Sequence, residues 1–292
     1  MIVTRLVGGL GNQMFQYSVG RALARRHGQE LWMDIHDVSR DPDRSYALGP
    51  FRIEERLAGW RQRWPFQSPF QRVRRRLRRL AGLDWQASTG WIQEAGFHYQ
   101  ELSLDPRRDY YLNGYWQSEK YFRDAADILR REFRLKDEAE GVNAEMLARI
   151  RDHLSVSLHV RRGDYVQKPA TQAFHGSCSL EYYRAAADRI AGWAGGRPTF
   201  FAFSDDPDWV EANLKLSYPL VLVRHNPPQV AHEDLRLMSA CQHHVTANSS
   251  FSWWGAWLGD HPAKRVVCPR RWFNEFSGND DRDLAPEGWE RI

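Results

Sequence analysis

The second half of the chain alternates short apolar runs with segments of helical periodicity. The apolar runs lie at residues 156–160, 199–203, 220–223, 245–247 and 266–268. Helical patterns lie at residues 180–193, 207–214, 232–241 and 251–258. Near-continuous apolar runs are typical of strands buried on both faces. Strand–helix alternation with short connections therefore predicts a parallel sheet covered by helices.

The first half of the chain begins with the same alternation. Residues 2–7 and 31–35 predict strands, and residues 13–27 between them predict a helix. The pattern becomes irregular and returns with a predicted strand at 110–116 and a helix near 119–131. The predicted fold class is therefore α/β, with two Rossmann-like domains that carry parallel sheets and face each other.

A charged segment at residues 136–145 separates the two regions. We predict a domain boundary there, with an N-terminal domain of residues 1–145 and a C-terminal domain of residues 146–292. The N-terminal domain carries an arginine-rich insertion near residues 56–80. At 292 residues the chain is long enough for two domains, and 42% hydrophobic residues exclude a disordered protein.

The positive charge of the chain is concentrated in that insertion. The formal net charge is +4, yet residues 56–80 contain nine arginines and no acidic residue, so the rest of the chain is net acidic. A nucleic-acid partner is therefore not predicted. Three widely spaced cysteines fit a reducing compartment, and no apolar run reaches membrane-spanning length. The predicted location is the cytoplasm.

The segment from Arg72 to Leu80 allows two interpretations. Val73, Leu77 and Leu80 recur at helical spacing, with arginine at all other positions of the segment. One interpretation is a solvated helix that rests on the protein through this narrow apolar stripe. The other is an interfacial helix attracted to anionic lipid headgroups, which would place the protein peripherally at the inner face of a membrane.

Polar loops follow four of the predicted strands. Their sequences are GGLGNQ after the first strand, HVRRGDY and SDDPD in the middle of the chain, and NSS after residue 247. In open parallel sheets, ligands bind beyond the carboxyl ends of the strands, where helix N-termini offer unpaired N–H groups. We therefore expect a binding site at these loops.

The glycine-rich loop is an incomplete dinucleotide fingerprint. Met14 stands where a third glycine would lie, and no P-loop lysine follows. Gly9 and Gly11 allow close packing of the loop, and Asn12 places a polar side chain at the mouth of a helix. Asp34 ends the next strand where a ribose-binding acid would lie, so an NAD-dependent oxidoreductase remains an alternative.

The two arginines of HVRRGDY suit a pyrophosphate, because the guanidinium fork makes paired, charge-assisted hydrogen bonds. Adjacent side chains on an extended segment point in opposite directions. One of Arg161 and Arg162 should therefore reach the ligand while the other braces the loop. We expect Asp164 to pair with an arginine and fix its orientation.

Capping signals distinguish the three acids of SDDPD. Asp206 suits an N-cap, Pro207 a first helical position and Asp208 a favourable first-turn charge. Asp205 is left to accept hydrogen bonds from a guanine base or a ribose. The same spacing resembles a DxD metal motif, but the capping interpretation is favoured, and no metal or other cofactor is predicted.

The NSS loop, formed by Asn248, Ser249 and Ser250, precedes an apolar helix that begins near Phe251. One interpretation is simply an N-capped buried helix. The same geometry exposes backbone N–H groups and hydroxyls to an anion, and aromatic side chains could wall such a site.

Together these motifs resemble the α-1,2-fucosyltransferase family, the galactoside 2-α-L-fucosyltransferases. The matching stretches are GGLGNQMFQYSVGRALA, NGYWQSEKYF, HVRRGDY, FAFSDD and DLRLMSACQHHVTANSSFSWWGAWL, in family order. The resemblance implies a two-Rossmann (GT-B) fold and metal-independent, inverting transfer of L-fucose. The implied donor is GDP-β-L-fucose. The implied acceptor is the 2-hydroxyl of a terminal β-galactoside, in an oligosaccharide or a lipid-linked glycan such as an O-antigen.

The resemblance also implies roles for individual residues. Arg161 would hold the donor phosphates, with His159 against the nucleotide. The expected donor site comprises Gly9, Gly11, Asn12, His159, Arg161, Asp205, Asn248, Ser249, Ser250 and Phe251. The expected acceptor site comprises Tyr115, Trp116 and Gln117, and the expected catalytic residues are Arg161, Asn12 and Asp164. Two further alternatives are a transferase for another GDP- or UDP-sugar and a non-catalytic carbohydrate-binding protein.

Overall fold

The computed structural model describes residues 1–82, 86–163, 176–274 and 278–292. These residues form two compact α/β units, Met1–Lys136 and Asp137–Ile292, each with its own parallel sheet. The predicted fold class of two α/β domains with parallel sheets is confirmed. The division lies before the boundary predicted after residue 145, which would cut through the first helix of the second unit.

The first unit is built on a four-stranded parallel sheet of order β2-β1-β4-β3. Its strands are β1 (Ile2–Arg5), β2 (Leu31–Asp34), β3 (Trp91–Gln93) and β4 (Tyr110–Asn113). Its helices are α1 (Leu10–His27), α2 (Trp60–Gln67), α3 (Pro69–Leu80), α4 (Gln86–Thr89) and α5 (Ala126–Glu132). Single 3₁₀ turns lie at Val38–Arg40, Glu119–Tyr121 and Arg123–Ala125.

Four elements of this unit, β1, α1, β2 and β4, lie where the sequence predicts them. The helix predicted near residues 119–131 is instead two 3₁₀ turns followed by α5. Strand β3 and helices α2 and α4 were not predicted. A three-residue strand is too short to show a period, so β3 carries no sequence signal of its own.

Helix α1 joins the loops at the carboxyl edge of this sheet. The chain turns into the helix through Gly8, whose φ of 76° favours glycine, and Gly9 is the N-cap. The buried side chain of Gln16 accepts a hydrogen bond from Val7 N (2.9 Å) and donates one to Gly114 O (3.2 Å). The Gln16 side chain therefore links the loop that follows β1 to the loop that follows β4.

Asp34, at the carboxyl end of β2, is a buried anchor for the second helix of the unit. Its Oδ2 accepts hydrogen bonds from the Tyr111 hydroxyl (2.7 Å) and from Gln67 Nε2 (3.1 Å). Its Oδ1 accepts one from His36 N (3.0 Å) and lies 3.7 Å from Arg63 Nη1. These contacts occupy the carboxylate with structural partners, so nothing in them favours a ribose-binding role.

The second unit is built on a six-stranded parallel sheet of order β10-β9-β8-β5-β6-β7. Its strands are β5 (Ser155–Val160), β6 (Thr199–Ser204), β7 (Leu220–Val223), β8 (His243–Val245), β9 (Val266–Cys268) and β10 (Glu290–Arg291). Its helices are α6 (Gly141–Arg151), α7 (Leu180–Ala194), α8 (Pro207–Asn213), α9 (Ala231–Ala240) and α10 (Ser250–Leu258).

The five strands and four helices predicted for the second half all occur, with ends shifted by at most two residues. Strand β5 is buried along its whole length and pairs with β6 and β8. Apolar clusters cover both faces of the sheet: α7 packs on one, and α9 on the other. No helix of the described residues is long and apolar enough to cross a bilayer.

We predict that Asp34→Ala destabilises the chain by about 3 kcal/mol, because it leaves the buried hydroxyl of Tyr111 without its acceptor and removes one of the two acceptors of the Gln67 amide. Urea unfolding followed by circular dichroism measures the loss. Asp37→Ala is the matched control, since it removes only an exposed ion pair with Arg5 and should cost less than about 1 kcal/mol. Equal losses for the two variants would contradict the anchoring role.

Candidate active site

The loops that follow β5 and β6 lie side by side at the carboxyl edge of the second sheet. The two strands are parallel neighbours, and Val160 is in register with Ser204. The Ser204 hydroxyl donates a hydrogen bond to Val160 O (2.9 Å) and ties the two strand ends together. The described part of the first loop, residues 159–163, is thus brought into contact with SDDPD, as expected from their positions after adjacent strands.

Arg161 and Asp205 form the central ion pair of this edge. Arg161 Nη1 lies 3.0 Å from Asp205 Oδ2, and both side chains are about three-quarters buried, with 23% and 24% exposure. Asp205 Oδ1 also accepts a hydrogen bond from Arg162 N (2.8 Å). Asp205 therefore orients the arginine, the role predicted for Asp164. Asp164 itself lies outside the described residues.

Arg162 points to a different set of partners. Its guanidinium lies over the Trp209 ring at 3.7 Å from the centroid, and its Nε lies 3.3 Å from Asp206 Oδ2. Asp206 is also the N-cap of α8, because its Oδ1 accepts a hydrogen bond from Trp209 N (3.3 Å). Arg162 therefore braces the loop, as predicted for one of the two arginines; the role of Arg161 in holding the ligand stays a prediction.

Gly163 is required where the two loops meet. A Cβ atom at this position would lie 2.5 Å from Asp205 Oδ2, closer than real Cβ contacts allow. A larger residue would therefore push the Asp205 carboxylate away from Arg161.

His159 lies on β5, two residues before Arg161, and is 4% exposed. Its ring centroid is 5.6 Å from that of Phe251 at the start of α10. Burial holds the pKa of the imidazole well below its usual range, so the ring is neutral near pH 7. Its Nδ1 is buried and has no hydrogen-bond partner among the described residues. A buried polar atom of this kind is open to a water molecule or a ligand atom.

Asn248, Ser249 and Ser250 bring a helix N-terminus to the same edge, because β8 is the other parallel neighbour of β5. Ser249 is the N-cap of α10, but its side chain does not cap the helix. Asn248 is buried, and its Nδ2 donates to Gly176 O (3.1 Å) and Trp272 O (3.3 Å). Its amide therefore ties neighbouring loops together.

A cavity of about 650 Å³ opens at the next strand end of this sheet. Its lining includes Cys178, Asn248, Arg270, Arg271 and Asn274. The two arginines follow β9 after Pro269, so they lie at the same carboxyl edge as the loops described above. They were not predicted as site residues, although an RR pair after an apolar run is the same signal that singled out Arg161 and Arg162.

In the first unit, the predicted residues Gly9, Gly11 and Asn12 lie at the N-terminus of α1. The Asn12 side-chain oxygen accepts a hydrogen bond from Gln117 Nε2 (2.8 Å). Asn12 is half-buried and lies close over Gly8, where an added Cβ would be 2.6 Å from its Nδ2. This hydrogen bond links Asn12, expected in the sugar-donor site, to Gln117, expected in the sugar-acceptor site.

The loop at residues 114–117 is held in an unusual conformation by Glu94. Glu94 accepts hydrogen bonds from Tyr115 N (2.6 Å) and Trp116 N (2.9 Å). Trp116 has a φ of 57°, which is uncommon for a non-glycine residue, and its side chain is buried. Tyr115 is 39% exposed and stacks on Phe97. On this loop the Tyr115 side chain is therefore exposed, while the Trp116 indole is packed in the interior.

Glu94 was not predicted as a site residue. Burial raises the pKa of its carboxyl group to about 7, and the two backbone N–H groups oppose this rise only in part. Gly114 makes room for it, since a Cβ there would lie 2.4 Å from Glu94 Cβ. A single glutamate after a three-residue strand gives no sequence signal, so only the fold identifies it.

Among the described residues, no group of three His, Cys, Asp or Glu side chains could hold a metal ion. Asp206 and Asp208 do not converge on one point: Asp206 pairs with Arg162, and Asp208 pairs with Arg224. These partners agree with the capping interpretation of the SDDPD loop.

Comparison with known proteins identifies the family. The sequence profile of glycosyl transferase family 11 matches residues 1–290 of the chain. The chain belongs to glycosyl transferase family 11. The predicted relationship to the α-1,2-fucosyltransferases and the prediction of a glycosyltransferase are both confirmed.

Curated relatives within this family cover most of the chain. An α-1,2-colitosyltransferase of Escherichia coli is 30% identical and aligns with 100% of this chain and 99% of its own length. The O-antigen biosynthesis glycosyltransferase WbnK of the same species is 29% identical over 97% and 98%. The mouse galactoside α-(1,2)-fucosyltransferase 1 is 26% identical over 86% of this chain and 61% of its own length.

Solved structures show the fold. The fucosyltransferase NodZ from Bradyrhizobium aligns with a TM-score of 0.51 and 14% identity, over 87% of this chain and 91% of NodZ. A NodZ α-1,6-fucosyltransferase crystal soaked with GDP-fucose aligns with a TM-score of 0.50 and 16% identity, over 88% and 91%. The similarity confirms the GT-B-type fold class of this glycosyltransferase.

Proposed function

We propose that the chain transfers L-fucose from GDP-β-L-fucose to the 2-hydroxyl of a terminal β-galactoside, with inversion at the fucosyl C1. The names of the relatives support this choice: two are α-1,2 transferases, and one of these is a galactoside fucosyltransferase. The observation that carries the proposal is Arg161, held by Asp205 at the carboxyl end of β5. It places a preorganised cation where open parallel sheets bind their ligands.

The chemical problem in this reaction is charge. When the bond between C1 and the β-phosphate oxygen breaks, the electron pair leaves with GDP, and positive charge develops on the sugar ring. We propose that Arg161 and the N–H groups at the start of α10 carry the phosphate charge without a metal ion. Because Asp205 already fixes the guanidinium, little reorganisation is needed as the charge develops.

Other residues of the second unit complete the proposed donor site. The orphaned Nδ1 of His159 is available to the nucleotide, and Phe251 beside it forms a wall. Ser249 and Ser250 offer hydroxyls at the helix N-terminus. Asn248 holds the start of this helix in place, since its amide donates hydrogen bonds to two neighbouring loops.

We propose that Glu94 accepts the proton of the acceptor hydroxyl. As the hydroxyl oxygen forms its bond to C1, its proton must leave, and a carboxylate with a pKa near the working pH suits this task. Glu94 meets that requirement, with a pKa of about 7. Its Oε2 accepts a hydrogen bond from the backbone N–H of Tyr115, whose exposed side chain is proposed to contact the acceptor sugar. Asn12 and Gln117 form a bonded pair at the same edge that can position the acceptor.

Colitose is a second candidate for the transferred sugar, because the relative that aligns over the whole chain is named a colitosyltransferase. The same phosphate chemistry serves both donors. The acceptor is an oligosaccharide or a lipid-linked glycan that ends in galactose. The O-antigen relative supports a surface polysaccharide as its origin.

The direct test is an assay of the full chain with GDP-fucose, GDP-colitose, GDP-mannose and UDP-galactose against a panel of terminal galactosides. We expect the highest kcat/KM with GDP-fucose, an α-1,2 linkage in the NMR spectrum of the product, and an unchanged rate in EDTA. A UDP-sugar preference, a different linkage or strict dependence on added divalent metal would refute the corresponding part of the proposal.

We predict that Arg161→Ala lowers kcat by roughly two to three decades, because one charge-stabilising donor is lost. Thermal unfolding should be little changed. Arg224→Ala is the matched control: it removes an arginine of the same unit that pairs with exposed Asp208 and Glu211, and it should keep normal turnover. Near-normal turnover of Arg161→Ala would remove the phosphate-binding assignment.

For Glu94 we predict an acid limb in the pH profile of kcat/KM, because the base acts only when deprotonated. Activity should rise with pH, level off above about pH 7, and fall below it as the carboxylate takes up a proton. Glu94→Gln should lower kcat by about 10²–10⁴-fold and abolish this limb. Glu101→Gln, at an exposed glutamate, is the control and should leave the profile unchanged. A Glu94→Gln enzyme that keeps the acid limb would assign it to another group.

A further inference from the structure

Helix α3 turns its apolar side chains away from the protein. Phe70, Val73, Leu77 and Leu80 are 73%, 57%, 61% and 76% exposed. Their spacing of three, four and three residues places them on one stripe of the helix. None of the helix residues is buried. Of the two interpretations of this segment, the one in which the helix rests on the protein through its apolar stripe is therefore wrong.

The opposite face of α3 is attached to the protein by arginine. The Arg75 guanidinium lies over the Trp91 ring at 4.2 Å, and Trp91 stacks on Tyr111 of β4 at 4.4 Å. Arg75 also donates a hydrogen bond to Phe66 O, and Arg72 Nε donates one to Gln67 O (3.0 Å). The helix is thus an inverted amphipathic helix, with a polar inner face and an apolar outer face.

Helix α3 is held in place by its N-terminal cap and by the anchored helix that precedes it. It begins at Ser68, whose hydroxyl accepts a hydrogen bond from Gln71 N (3.4 Å), and Pro69 is its first residue. The preceding helix α2 is held by Gln67 on the buried Asp34. Helix α2 adds two exposed aromatic side chains, Trp60 (67%) and Trp64 (59%).

We propose that this surface, the outer face of α3 with Trp60 and Trp64, docks on a membrane that contains anionic lipid. Charge complementarity favours that partner, because residues 56–80 carry nine arginines and no acid. Among them, Arg74 and Arg76 border the apolar stripe by their helical positions, and Arg76 is exposed. Apolar and tryptophan side chains bordered by cations suit the boundary between headgroups and acyl chains.

A second copy of the chain fits this surface less well. A two-fold contact places the same patch on both copies, so the arginines of one would face the arginines of the other. Like charges set against each other in this way disfavour association. Membrane docking does not depend on which sugar the chain transfers.

The test is cosedimentation of the full chain with vesicles of phosphatidylcholine alone or mixed equally with phosphatidylglycerol. We expect binding to the anionic vesicles only, weakened by added salt. Leu77→Glu should weaken binding by about tenfold or more, because it places a charge in the apolar stripe. The matched control is Val142→Glu, at an equally exposed apolar residue of α6 (55%), and it should bind normally. Both variants should keep the thermal midpoint and the activity on a soluble acceptor.

Three outcomes would overturn the proposal. The first is no binding of the wild-type chain to anionic vesicles. The second is binding that Leu77→Glu leaves unchanged, which would mean that the apolar face does not enter the membrane. The third is self-association in sedimentation velocity that Leu77→Glu abolishes while vesicle binding is absent, which would make a second copy the partner.

Discussion

The candidate donor site depends on one ion pair, between Arg161 and Asp205. Parallel pairing of β5 with β6 brings the two residues together, and Gly163 leaves room for the carboxylate. Asp205 also holds the backbone of Arg162, so one anion fixes both the loop and the direction of the guanidinium. A partly buried cation fixed before the substrate arrives stabilises developing phosphate charge more than a mobile, solvated one does.

In the first unit, different surroundings give one carboxylate a structural role and the other a pKa that suits proton transfer. Asp34 is the last residue of β2 and Glu94 directly follows β3, two strands of the same parallel sheet. Asp34 is enclosed by a hydroxyl, an amide and a guanidinium, and it anchors α2. Among the described residues, Glu94 accepts hydrogen bonds from two backbone N–H groups and no side chain, so burial raises its pKa to about 7. A carboxylate balanced in this way exchanges a proton near neutral pH, which is the property we assign to the base.

The sequence predicted the second unit well, because apolar runs buried on both faces alternate with helices and the polar loops must follow at one sheet edge. It could not predict the direction of α3, since an amphipathic pattern does not say which face meets the protein. The sequence also could not predict that Asp205 positions Arg161, because the two residues are 44 positions apart in the chain and meet only when their strands pair. Glu94 and the left-handed Trp116 depend on a strand of three residues that has no measurable period.

The claim that Arg161 binds the donor diphosphate is tested most directly by a crystal structure of the chain with GDP. The predicted result is a guanidinium nitrogen of Arg161 about 3 Å from an oxygen of the β-phosphate, with the Asp205 contact retained. GDP bound elsewhere, with the Arg161 side chain directed away from both phosphorus atoms, would contradict it.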